Sequence, residues 1–110
     1  MIDAAPPPLP VGVGMREWSV AVYRTHARPG RVKLNVTNFG EDAHDLQVFG
    51  PAGYRSARSP EVAPFGGRAT LRVTLQRTGT YRLLCMKPGH AGLGMRATLR
   101  VSRRPARRAR

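Results

Sequence analysis

Cysteine occurs once, at Cys85, so no disulfide can close within the chain. The thiol is left as a small core hydrophobe, a reactive group or a metal ligand. Lysine is confined to Lys33 and Lys87, and acidic residues number 6 against 19 Lys and Arg. Aromatic residues make up 6%, which offers no stacking platform for nucleic-acid bases. No apolar run reaches about 18 residues, so no membrane-spanning helix is expected. The opening "MIDAAPPPLPVGVG" has no apolar run flanked by basic residues and does not read as a secretory signal.

What is present is one domain's worth of chain, 110 residues with 41% hydrophobic content, enough to bury a single core. The formal net charge of +13 is the unusual quantity, and it comes almost wholly from arginine. Its dense part is "SRRPARRAR", Ser102 to Arg110. Such charge suits nucleic acid, an anionic membrane face or an acidic protein partner, or it reflects composition and a solvated tail. Arg at every second position of strand-like segments reads as a solvated face, and no nucleic-acid partner is expected. Composition divides the chain into a Pro/Gly-rich linker (1–14), a domain (15–102) and a basic tail (103–110).

From Arg16 onward the pattern has period two. "EWSVAVY" aligns Trp18, Val20 and Val22, and "RVKLNVTN" aligns Val32, Leu34 and Val36 against Lys33, Asn35 and Thr37. "HDLQV" sets Leu46 and Val48 against Asp45 and Gln47, and "ATLRVTLQ" sets Leu71, Val73 and Leu75 against Arg72 and Thr74. "YRLLC" and "MRATLRV" repeat the scheme, with turn clusters such as "ARPG", "NFGED" and "RTGT" between. Short strands with no helix between them predict an antiparallel β-sandwich or barrel. "GYRSARSPEV" reads as an irregular crossover. His26 reads as a turn residue, Trp18 and Phe39 as core or core rim, and Tyr81 in "TGTY" as a corner tyrosine.

The alternation also orients the chemistry. Arg82 must face water, which turns Tyr81, Leu83 and Cys85 inward. Arg96, Thr98 and Arg100 face out, so Met95, Ala97, Leu99 and Val101 face in. His44 shares the inward phase of Leu46 and Val48, and His90 lies in the loop between Cys85 and Met95. Taken singly, an inward Cys or Met is usually core filling and a loop His beside Gly is usually just exposed. Together they form Cys-x4-His-x4-Met plus an upstream inward His, converging on one end of the sandwich. Thiolate, two imidazoles and a thioether are the donor set of a mononuclear copper site for electron transfer, with Met weakly axial. Zinc competes for Cys and His, but zinc sites rarely use Met.

The stretches "GTYRLLCMKPGHAGLGMRATLRV" and "GRVKLNVTNFGEDAHDLQV" resemble the cupredoxins, the small blue copper proteins of the plastocyanin, azurin and auracyanin kind. The resemblance runs from about Val20 to Ser102. It implies an all-β, Greek-key β-sandwich of seven to eight strands, with one copper ion bound by His44, Cys85, His90 and Met95. It further implies that His90 is the electron port, with Pro88, Ala91 and Leu93 forming a docking patch for redox proteins. Export to the periplasm, or to the outer face of the cytoplasmic membrane, is likewise an implication of the resemblance. Two departures stand out: Asp45 follows the first ligand His and Met86 follows the Cys. Asp45 is expected to accept backbone N–H bonds from the Cys loop, and Met86 to pack without ligating.

The expected function is a non-enzymatic, monomeric carrier of single electrons between partners, acidic ones or those at an anionic membrane surface. Copper storage or delivery is one alternative, though inward ligands suggest retention. An electron-transfer domain of a larger copper enzyme is another. With only His26, His44 and His90, the chain alone cannot supply the further His ligands of a second catalytic copper centre.

Overall fold

The computed structural model describes residues 6–104. The expected alternation is clearest in β4 (Gly30–Asn38), where Val32, Leu34 and Val36 are buried and Arg31 and Asn35 are exposed. The chain runs β1 (Leu9–Arg16), β2 (Ser19–Val22), β3 (His26–Ala27), β4, β5 (Gln47–Phe49), β6 (Gly67–Leu75), β7 (Gly79–Leu84) and β8 (Arg96–Val101). A single 3-10 turn, Pro51–Gly53, is the helical element among the described residues. One sheet has the order β2-β1-β4-β6 and the other β3-β8-β7-β5. Their inner faces meet in one apolar core that includes Val13, Met15, Leu34, Leu46, Leu75, Leu83 and Leu99. Each such side chain contributes roughly 1.5–3 kcal/mol by leaving water.

The sandwich is all-β as expected, but it is not purely antiparallel. β1 runs parallel to β4, and β3 runs parallel to β8. Residues 9–14 belong to β1 and not to a linker: Val11, Val13 and Met15 are buried, while Gly12 and Gly14 take the opposite phase. Those glycines hide the strand in the sequence, because the Tyr23 ring occupies the space their side chains would fill. A Cβ at Gly12 would lie 2.8 Å from Tyr23 Cδ2, and one at Gly14 would lie 2.9 Å from Tyr23 Cζ. The tail, 103–110, is described only at Arg103 and Arg104, both exposed, and the rest lies outside the described residues.

His26 is no turn residue. It sits in β3 opposite Arg100, and its Nε2 is buried without a hydrogen-bond partner among the described residues. Asp45 and Gln47, placed outward by alternation, are buried because the crossover lies over them. Ser56 and Ser59 on that crossover cap the backbone N–H groups of Val48 and Leu46, and Gln47 Nε2 donates to the Ser56 carbonyl at 2.6 Å. Tyr81 is the expected corner residue, fully buried, its hydroxyl donating to the Arg77 carbonyl at 2.7 Å. Trp18 and Phe39 are exposed, at 38% and 51%, not core.

Candidate metal centre

Cys85 follows the last residue of β7, and Met95 precedes the first of β8, so the hairpin carries both at its mouth. The connecting loop folds on itself. Cys85 N–H donates to the Met95 carbonyl and Met95 N–H to the His90 carbonyl, both at 3.1 Å, while His90 N–H donates to Lys87 at 3.0 Å. Three of the expected ligands are thereby tied backbone to backbone. Gly89 and Gly94 take φ of 80° and 125°, which the tight loop requires and a side chain would resist. At Gly94 a Cβ would also come 2.8 Å from the Trp18 carbonyl, so the β1–β2 turn presses directly on this loop.

His44 arrives from the other direction. It forms an isolated antiparallel bridge with Val62, with N–H···O bonds of 3.2 and 2.7 Å, and is fully buried. Its Nδ1 lies 3.1 Å from His90 Nδ1 and 3.9 Å from Cys85 Sγ, and Cys85 Sγ lies 3.5 Å from His90 Nδ1. The point equidistant from these three atoms is about 2 Å from each, the length of first-row metal–imidazole and slightly under that of metal–thiolate bonds. The three donor atoms could hold one ion together. Met95 is fully buried, its backbone bonded to those of Cys85 and His90. Burial pushes the Cys85 thiol up, which favours the neutral sulfhydryl over the thiolate.

The sequence reading missed Glu17. Its Oε2 accepts a hydrogen bond from His44 Nε2 at 2.5 Å, and its two oxygens also accept the backbone N–H groups of Glu41 at 2.6 Å and Asp42 at 3.2 Å. The Glu41 amide first, then the His44 ring and the Asp42 amide, hold its carboxyl down at about 2 against the opposing effect of burial. No periodicity could have found it: Glu17 lies in a turn, 27 residues from the histidine it touches. Trp18 beside it meets the His90 ring edge-on, 4.8 Å between centroids.

Asp45 does accept from the Cys loop, as expected. Its Oδ1 takes the Met86 N–H at 2.7 Å, and its other oxygen pairs with the Arg58 guanidinium. Lys87 pairs with Glu61 across the same rim. Met86 contributes this backbone donor.

The fold is that of the cupredoxins. No family model matches the chain, and no curated protein sequence matches it. Auracyanin A, a blue copper protein from Chloroflexus aurantiacus, superposes with a TM-score of 0.66 at 21% identity, over 87% of this chain and all of that one (100%). The reduced auracyanin of Roseiflexus castenholzii gives 0.64 at 18% identity, covering 90% of this chain and 99% of its own. An azurin from Methylomonas sp. strain J gives 0.68 at 13% identity, covering 86% and 98%.

Proposed function

We propose that the chain is a type 1 copper protein that passes single electrons between redox partners. The observation that carries this reading is the convergence of His44 Nδ1, His90 Nδ1 and Cys85 Sγ on a point about 2 Å from each, a spacing that fits bonds to one ion. The donor set selects among ions: a thiolate with two imidazoles and a buried thioether suits copper better than zinc. Copper would supply a one-electron couple, Cu(I)/Cu(II), at a site whose ligands need move little. His44, Cys85 and His90 would hold it, with the buried Met95 thioether as a weak further donor.

The surroundings support carriage over delivery or catalysis. Cys85, His44 and Met95 are buried and clamped by backbone hydrogen bonds, which favours retention. His90 is half-buried, with the exposed Pro88 and Leu93 in its own loop and the partly exposed Trp18 against its ring. We propose this edge as the docking patch, through which a partner of small contact area would take or give the electron. The charge of +13 supports acidic partners or an anionic membrane surface, steered over a distance that salt shortens. Work outside the cytoplasm belongs to the same proposal.

Colour tests it. The purified protein given Cu(II) should turn intensely blue from thiolate-to-copper charge transfer, and Cys85→Ser should stay colourless. Met95→Leu should keep the colour at a higher reduction potential. A wild-type protein that binds Cu(II) without an intense blue band would overturn the reading, and rapid loss of copper to a weak chelator would favour delivery.

A further inference from the structure

We propose that Glu17 is a positioning residue for the metal, holding His44 as its Nε2–H tautomer so that the Nδ1 lone pair faces the ion, and placing a fixed negative charge behind that ligand. The inference rests on the copper reading for its redox part and on the chain alone for the rest.

The geometry is that of a built socket. Asn38, fully buried, fixes the loop that follows it: its Nδ2 donates to the Asp42 and Val62 carbonyls at 2.8 and 3.0 Å, and its Oδ1 accepts the Gly40 N–H at 2.8 Å. That loop turns the amides of Glu41 and Asp42 toward one place, where the Glu17 carboxylate sits. Gly40 leaves the space, since a Cβ there would come 2.7 Å from Oε1 and 2.8 Å from Cδ. The remaining acceptor capacity of Oε2 goes to His44 Nε2. His44 is fully buried, and Glu17 is the acceptor the described residues offer to that nitrogen.

A carboxylate in this role does two things more strongly than a neutral carbonyl. It raises the basicity of the ligating nitrogen, and it lowers the energy of the more highly charged ion a few ångströms away. A loop clamp alone would need only the Glu41 and Asp42 contacts. The short bond to the ring is the contact that reaches the metal.

Two arms test it. In metal-free protein labelled with 15N, His44 should be the Nε2–H tautomer, and in Glu17→Ala it should become a mixture. An unchanged tautomer in Glu17→Ala, or Nδ1–H in the wild type, overturns the proposal. Zn(II) affinity by chelator competition should fall roughly 10- to 100-fold in Glu17→Ala, and an unchanged affinity counts against it. In the copper-loaded protein, Glu17→Gln should keep the spectrum and shift the potential upward, and an equal or lower potential overturns the charge role. Gly40→Ala keeps the carboxylate but denies it the socket, so it should move the potential the same way and carries the test should Glu17→Ala fail to fold. Failure of the copper reading would show as a wild type without blue colour, while the tautomer and zinc arms remain readable.

Discussion

The Nδ1 atoms of His44 and His90 face each other 3.1 Å apart, although 46 residues separate them in the chain. With Glu17 accepting from His44 Nε2, the proposed tautomer turns the Nδ1 lone pair of His44 toward His90. A metal ion held by the two rings would take up the Nδ1 lone pair of each. Backbone hydrogen bonds and Glu17 fix the donor atoms, so binding an ion should require little rearrangement.

The sulfur is different. Burial raises the Cys85 thiol, so at neutral pH the protonated form dominates and a bound metal would have to displace that proton. Titration with Zn(II) in buffers of different ionisation enthalpy should show release of about one proton per ion, and affinity should rise about tenfold per pH unit below the thiol's titration. Release near zero at pH 7 would mean that the thiolate already exists in the empty site.

Asp45 ties the Cys85 strand end to the crossover through Met86 N–H while neutralising Arg58. Asp45→Asn should keep the first contact and lose the second. The copper potential should rise, but by less than in Glu17→Gln, because Arg58 already offsets the Asp45 charge. Protein-film voltammetry on the two variants reads the order directly.

Gly50 lies against the buried Tyr81 ring, and a Cβ there would come 3.2 Å from Tyr81 Cγ and nearer still to the ring edge. The ring cannot swing out, being fully buried. Gly50→Ala should therefore lose about 1–3 kcal/mol in urea unfolding, the usual cost of overpacking. Combined with Tyr81→Leu, the losses should fall short of additive.

Tyr81→Phe should cost about 0.5–1.5 kcal/mol, at the low end because the exposed Arg77 carbonyl can turn to water. Burial raises the Tyr81 phenol above 10 in the folded chain. The unfolded chain then ionises first, so the wild type should hold its margin over Tyr81→Phe below pH 10 and lose it as pH climbs further. Stability curves that stay parallel from pH 8 to 11 would contradict the assignment.

Much of this was legible because phase survives in the sequence. Alternation alone turned Cys85, Met95 and His44 inward, and all three are buried. It failed where a second layer of chain intervened. Asp45 and Gln47 have the outward phase, yet the crossover carrying Ser56, Arg58 and Ser59 covers them, and nothing local announces that cover. β1 was hidden because Tyr23 stands in for the missing side chains of Gly12 and Gly14. The β1–β4 pairing is parallel, a relationship that period two cannot distinguish from its opposite. Glu17 was invisible for a different reason: its partners are backbone amides and a histidine on another loop, and such a socket leaves no spacing rule behind.

The chain has a single tryptophan, and it lies edge-on to His90. Its emission is consequently a built-in optical gauge. A redox-active ion such as Cu(II) held by that imidazole would dim the indole by energy or electron transfer, so its occupancy could be followed with micrograms of material.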